Sequence, residues 1–177
     1  MTHRLAVALT SVLALAGCGY RPVHGGGGPS ERLHVVLAVS KVTDAVASDE
    51  VLVGVREELA RRAALAPGDG YPRCEVEILR ADESSEGIAA TPNADGRLLP
   101  DSRATRVGLV ARAWVVPSSG ADRQRDTGDM RAFETVAVAS SAQGSAFQQD
   151  DALRAAGRRL GHSLGARLLG FPASTQD

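Results

Sequence analysis

Aromatic residues and lysine are scarce in this chain of 177 residues. Phe, Trp and Tyr together make up 3% of it, although hydrophobic residues reach 44%. A core must therefore be built from Val, Leu and Ala, and the length is sufficient for one domain of ordinary size. Lys41 is the only lysine, and the formal net charge is −1. This composition does not indicate the clustered basic surface that nucleic acid requires, so we expect no nucleic-acid partner.

Cysteine and histidine are also rare, which limits redox and metal chemistry. The four histidines, His3, His24, His34 and His162, lie far apart in the sequence. None has the close spacing of a zinc site on one element, so we predict no metal and no cofactor. Cys74 falls on the apolar face of a predicted strand. It is either a small buried hydrophobic residue or a lone thiol in an oxidising compartment.

The N-terminus contains the three-part pattern of a secretory signal. Met1–Arg4 is a short basic head, and Leu5–Leu15 is almost wholly Ala, Val and Leu. This apolar run is too short for a membrane-spanning helix. Residues 1–17 are therefore predicted to be a signal peptide, in either a lipoprotein or an ordinary secreted protein.

The end of this signal, Leu15-Ala16-Gly17-Cys18, resembles the lipobox of bacterial lipoproteins. The resemblance implies cleavage before Cys18 and acylation of that residue, which anchors the chain to a membrane without spanning it, since two or more fatty chains bind stably. Gly19 stands where an Asp would favour retention in the inner membrane. By the same resemblance, the expected location is the outer membrane, with the domain facing the periplasm.

The remaining chain is predicted to be one α+β domain on a tether. Residues 18–30 include four consecutive glycines, Gly25–Gly28, and form a lipidated, flexible tether. Residues 31–172 form the domain, and residues 173–177 a short tail. The expected architecture is a mostly antiparallel four-stranded sheet with two helices packed on one face, in the order β-α-β-β-β-α.

Apolar periodicity and turn residues set the predicted boundaries of these elements. The first helix has Ser48 as its N-cap and is stopped by Pro67-Gly68. Asp82–Ala104 is predicted to be a long loop, in which Ile88–Ala90 weakly prolongs a strand. The strands are Leu33–Ser40, Cys74–Ile78, Arg106–Val116 and Phe133–Ser140, the polar loop is 117–129, and the second helix is Asp150–Leu169.

The second helix carries the candidate partner-binding residues. Gly157, Gly161 and Gly165 recur every four residues, and each costs about 1 kcal/mol relative to Ala in a helix interior. Close approach to a sheet or to a partner would explain them. A basic stripe lies beside them, and it is either a solvated face or a contact for an anionic partner. The stripe consists of Arg154, Arg158 and His162, with Arg159 alongside.

One sequence match suggests catalysis. Gly161-His162-Ser163-Leu164-Gly165 fits the G-x-S-x-G motif of lipases and esterases. That motif requires a strand-to-helix turn with an acid and then a histidine later in the chain. Here it lies within a helical pattern and no histidine follows it. We therefore predict no catalytic residue and no enzymatic activity.

The segment Cys18-Gly19-Tyr20-Arg21-Pro22, together with the predicted order of elements, resembles the lipopolysaccharide-assembly lipoproteins. The resemblance implies a non-catalytic protein that braces or plugs an outer-membrane β-barrel, with lipopolysaccharide as a further partner. It carries over only Cys18, as the lipidated residue. The alternative is an auxiliary lipoprotein of a lipid-transporting ABC system or another periplasmic binding module.

Overall fold

One four-stranded sheet carries both helices on the same face. The computed structural model describes residues 31–92, 94–137 and 142–172. The predicted α+β class and element order are confirmed. In chain order the elements are β1 (His34–Ser40), α1 (Ala45–Arg61), β2 (Arg73–Pro92), β3 (Leu98–Val116), β4 (Met130–Ala137) and α2 (Ala142–Leu168).

The strands lie in the order β1-β2-β3-β4. β1 pairs with β2 in parallel, while β2–β3 and β3–β4 are antiparallel. A parallel pair cannot be closed by a tight turn, so α1 forms the crossover between β1 and β2. The sheet is thus mostly antiparallel, as predicted.

The core lies between the helices and one face of the sheet. Alternate residues of β2, Cys74, Val76 and Ile78, are fully buried on that face, and the intervening Glu75 and Glu77 point the other way. The helices bury small and medium-sized aliphatic residues against them. The helix residues of this core are Ala47, Val51, Leu52, Val55 and Leu59 of α1 and Leu160, Leu164 and Leu168 of α2.

The start of α1 differs from the prediction. Asp44 is the N-cap, and its carboxylate accepts hydrogen bonds from the backbone N–H groups of Val46 at 2.8 Å and Ala47 at 3.2 Å. The predicted N-cap, Ser48, is buried in the first turns of the helix, and its Oγ lies 2.9 Å from the Oγ of Ser40. Ser48 therefore joins the helix to the end of β1.

α1 also ends earlier than predicted, at Arg61. Ala63 adopts a left-handed φ of 56°, which breaks the helix before Pro67 is reached. The following residues then run beside the start of β1, where Leu65 and Leu33 form a parallel bridge. The predicted end of the helix at Pro67 was wrong, because the backbone conformation of Ala63 and the bridge between Leu65 and Leu33 end the helix earlier.

α2 begins at Ala142, eight residues before the predicted Asp150. Residues 142–149 carry little apolar periodicity, so no pattern indicated the extra two turns. At the other end, Gly170 has a φ of 80° and the Phe171 N–H donates to Ala166 O at 3.0 Å. A glycine in this conformation is a common helix C-cap.

The predicted loop over Asp82–Ala104 is wrong, because β2 and β3 continue through it as a hairpin. They pair from Arg73–Val116 to Pro92–Leu98. β1 pairs with β2 only as far as Ile78, and β4 pairs with β3 only as far as Ala104. Beyond those points, among the residues that the structure describes, the ribbon consists of β2 and β3 alone. We call residues 87–103 the hairpin arm.

Candidate interaction surfaces

The glycine stripe of α2 is packed against α1. A Cβ on Gly161 would lie 2.2 Å from the carbonyl oxygen of Val51 and 2.7 Å from the backbone N of Val55. A Cβ on Gly54, for which the sequence predicted no role, would lie 2.2 Å from the carbonyl oxygen of Arg158. The two backbones therefore meet through glycines on both helices. The stripe thus makes a close backbone approach as predicted, but to the other helix of the domain, whereas a sheet or a partner was expected from the sequence.

The basic stripe of α2 forms ion pairs with neighbouring elements. Arg158 lies 2.9 Å from Glu50 of α1. Arg159 pairs with Glu134 of β4 and donates to the carbonyl oxygen of Phe133 at 3.1 Å. These arginines join α2 to the other helix and to the sheet edge. Contact of the stripe with an anionic partner stays a prediction.

The first arginine and the histidine of the stripe are paired as well. Arg154 lies 3.1 Å from Asp151 on its own helix. His162 Nε2 lies 2.8 Å from the Oε2 of Glu57 on α1. The hydrogen bond with His162 lowers the pKa of Glu57 below its ordinary value. Each of the four residues of the stripe thus has a carboxylate partner within the domain.

The sheet face opposite the helices carries a network of charged residues. Glu77 is 6% exposed, and its carboxylate lies 2.8 Å from Lys41 Nζ and 2.6 Å from a guanidinium nitrogen of Arg112. The hydrogen bonds from Lys41 and then Arg112 lower the pKa of Glu77, and they outweigh its desolvation. The carboxylate therefore stays ionised and links the end of β1 to β2 and β3.

Aromatic rings on this face are covered by arginine side chains. The Trp114 ring is buried, its Nε1 donates to Glu75 at 3.0 Å, and the guanidinium of Arg123 lies 3.8 Å from its centroid. The guanidinium of Arg106 lies 4.5 Å from the centroid of Phe133. Both distances suit cation–π contact. The scarce aromatic residues thus lie mainly outside the aliphatic core.

Cys74 is a buried free thiol with no exposed surface. Burial raises the pKa of the thiol to about 12. Because the thiolate is the nucleophile, such a group is unreactive at neutral pH. The structure therefore favours the first of the two predicted alternatives, a small hydrophobic residue of the core.

The G-x-S-x-G match lies in the interior of α2, with Gly161 and Gly165 both facing α1. Ser163 is therefore in regular helix and not on the strained turn that exposes a nucleophile in lipases. In the part of the chain that the structure describes, no group of three His, Cys, Asp or Glu side chains is arranged to hold a metal ion.

Cys18, the signal peptide, the tether and the tail lie outside the described residues. The described chain begins at Glu31, which forms an ion pair with Arg125 beside the start of β1. The tether thus meets the domain at one end of the sheet, and the hairpin arm leaves from the other. Across residues 31–92, 94–137 and 142–172, none of the helices has the length and apolar character needed to cross a membrane.

Comparison with known proteins gives structural likeness only. No family model and no curated protein matches the sequence. A minor lipoprotein from Acinetobacter baumannii is 8% identical with a TM-score of 0.46, over 81% of this chain and 98% of that chain. Rare lipoprotein B from Shewanella oneidensis is 9% identical with a TM-score of 0.38, over 77% of this chain and 91% of that chain. Likenesses this weak carry no argument about family or activity.

The prediction from sequence did not identify two features of these surfaces, the packing role of Gly54 and the hairpin arm. Gly54 stands alone in α1, so it lacks the repeated spacing that drew attention to the glycines of α2. The only sign of the arm was the short run Ile88–Ala90. Of the two predicted loops, the polar one over residues 117–129 is present, and the other is the paired ribbon.

Proposed function

We propose that this chain is a non-catalytic lipoprotein, anchored to the outer membrane through acyl chains on Cys18 and facing the periplasm. In its most specific form, the proposal is a lipopolysaccharide-assembly component that braces or plugs an outer-membrane β-barrel. The lipobox at Leu15–Cys18 supports the anchor, and the resemblance at Cys18–Pro22 supports the assembly role.

The observation that carries the partner-binding role is the hairpin arm. Six residues of β2, Gly87–Pro92, extend beyond the last described pair of β3 with β4, which corresponds to about 20 Å at 3.3 Å per residue. A two-stranded ribbon is marginally stable in water, and no further strand among the described residues pairs with its outer edges, which suits them to pairing with another chain. Such an arm is suited to contact with a partner protein.

The position of the arm fits an anchored protein. The chain enters the domain at the start of β1, while the arm lies at the far end of the sheet. Anchoring raises the effective concentration of the domain near a membrane partner, so that modest contacts are sufficient for binding. The arm would then present itself to that partner at the end of the domain away from the tether.

The packing of α2 supports a role without catalysis. The serine of the only catalytic-type motif is in mid-helix, and the histidine beside it is engaged with Glu57. The surrounding glycines serve helix packing. These residues thus have structural roles that account for their presence without an active site.

The anchor is tested by metabolic labelling with radioactive palmitate. The wild-type chain should incorporate label, and a Cys18→Ser variant should lose it and also retain its signal peptide. Cys74→Ser is the matched control, and it should be labelled like the wild type. Equal labelling of the wild type and Cys18→Ser would refute the anchor.

The partner is tested by photocrosslinking in the intact cell envelope. A photoreactive residue placed at the exposed Ala94, in the turn of the arm, should crosslink to an outer-membrane β-barrel protein. The control position is the exposed Asp122, in the polar loop at the opposite end of the sheet. Crosslinking of Ala94 to an ABC permease or its binding protein would favour the transport alternative and contradict the assembly role.

A further inference from the structure

Two adjoining hollows lie where α1 begins, α2 passes and β2 continues beyond β1. They share Asp150 and Leu153 as lining residues. We call them together the helix-start groove. Its other main lining residues are Asp44, Val46, Ala81 and Glu83.

The groove has an apolar floor and an exposed apolar rim. Leu153 packs against the core from α2, and Val107 of β3 lines the groove beside it. Val46 is 44% exposed at the rim, and Phe147, one turn before Asp150 on α2, is 62% exposed. Val46 is thus one of the five exposed large hydrophobic side chains of the described residues and lines this groove, and Phe147, the most exposed of the five, lies three residues before the lining residue Asp150 on the same helix. Exposed apolar side chains next to a concave surface are typical of protein contact sites.

The charge around the groove is mainly negative. Its lining includes four carboxylates and one guanidinium, those of Asp44, Asp82, Glu83, Asp150 and Arg154. The guanidinium is already paired with Asp151 at 3.1 Å, so it adds little positive charge. Arg80 reduces the charge of Asp82, which it contacts at 3.1 Å. The Asp150 side chain is exposed, and its carboxylate has no hydrogen bond or ion pair to any residue that the structure describes.

From this combination we infer that the helix-start groove binds a basic, partly apolar segment of a partner protein. Charge complementarity decides the sign of the segment, since a positive chain meets two carboxylates here, those of Glu83 and Asp150, that have no ion pair with any described residue. The basic stripe of α2 had suggested an anionic partner, but its arginines are paired inside the domain. The inference rests on the proposed function only in expecting a protein partner.

The test uses the chain from position 18 to 177 with Cys18→Ser, so that nothing but the signal and the acyl chains is missing. The probe is a fluorescein-labelled peptide of five Arg-Leu repeats, followed by fluorescence anisotropy at low salt. A peptide of five Glu-Leu repeats has the same apolar content with the opposite charge. We expect the basic peptide to bind, the acidic one not to bind, and binding to weaken as salt is raised.

Variants locate the binding. Asp150→Lys should weaken binding of the basic peptide by about tenfold, since a like charge replaces an opposite one at the contact. Asp122→Lys makes the same change in the distant polar loop and should leave the affinity within about twofold. Val46→Ser removes an exposed apolar contact without disturbing the core and should also weaken binding. Circular dichroism of each variant confirms that the fold is retained.

Several results would overturn the inference. Equal binding of the two peptides would show that charge does not select the segment. Equal effects of Asp150→Lys and Asp122→Lys would show that the peptide does not bind at the helix-start groove. Dimerisation that Val46→Ser abolishes would assign the groove to a second copy of this chain. Tighter peptide binding after deletion of residues 19–30 would assign it to the tether. None of these results affects palmitate labelling or crosslinking from Ala94, so the failure of this inference is distinct from failure of the proposed function.

Discussion

Substitution of Gly161 by Ala should force α1 and α2 apart and destabilise the domain. The new Cβ would lie 2.2 Å from Val51 O, 2.7 Å from Val55 N and 2.9 Å from Gly54 Cα. All three atoms belong to backbone, so no side-chain rotation relieves the clash. The helices must therefore separate by about 1 Å, in an interior that is packed too densely to absorb such a shift.

The expected magnitude is a difference between two effects. Overpacking of a core costs about 1–3 kcal/mol, and replacing a helical Gly by Ala regains about 1 kcal/mol. Since the contact here is with backbone, we expect the upper part of the first range and a net loss of about 1–2 kcal/mol in the free energy of unfolding.

The same substitution at Gly157 is the matched control. There the Cβ would lie 3.1 Å from Ala47 O and 3.2 Å from Glu50 Cβ, so a shift of a few tenths of an ångström is sufficient. The gain in helix propensity should then leave stability unchanged or slightly raised. Urea unfolding followed by circular dichroism measures both variants. If Gly161→Ala is as stable as Gly157→Ala, the backbone contact between the helices is not as tight as described.

Three further results are expected. The hydrogen bond with His162 lowers the folded-state pKa of Glu57, so this pair should stabilise the fold above pH 4.5, the ordinary pKa of the group. The contribution should be lost as the pH falls through the lowered pKa. In a series of urea unfoldings at decreasing pH, Glu57→Gln should reduce the loss of unfolding free energy by less than about 1 kcal/mol, because the pair is exposed. Cys74 should not react with a thiol reagent at pH 8 until the chain is unfolded, and rapid reaction of the folded protein would contradict its burial. Asp44→Ala should cost about 1 kcal/mol of stability through loss of the N-cap, whereas Asp44→Asn should cost much less; equal urea midpoints for the two variants would show that the cap contributes nothing.

The sequence predicted the elements whose residues alternate between core and solvent. Cys74, Val76 and Ile78 fix the buried face of β2 by period two, and α1 shows a clear apolar stripe through Val51 and Val55. In each case burial of apolar surface determines the local structure. The spacing of apolar residues in the sequence therefore predicts it directly.

The failures occur where backbone pairing determines the structure. The Gly, Ala and Pro residues of the hairpin arm are typical of a loop. The arm is nevertheless a pair of strands, because backbone hydrogen bonds between β2 and β3 hold it. The true N-cap of α1, Asp44, precedes Ser48 by four residues, and both are good capping types, so composition alone could not choose between them. The candidate groove combines residues from α1, α2, β2 and β3 that are distant in the sequence, and only the fold brings them together.

The parallel pairing of β1 with β2 has a mechanical consequence. The chain reaches β1 from the tether, and β2 runs on into the arm at the opposite end. A pull between the proposed lipid anchor and a held arm would slide β1 and β2 past each other along their axes. The bonds between the two strands would then bear the load together instead of opening one at a time. Tension between anchor and arm is therefore borne in the direction in which this sheet yields least readily.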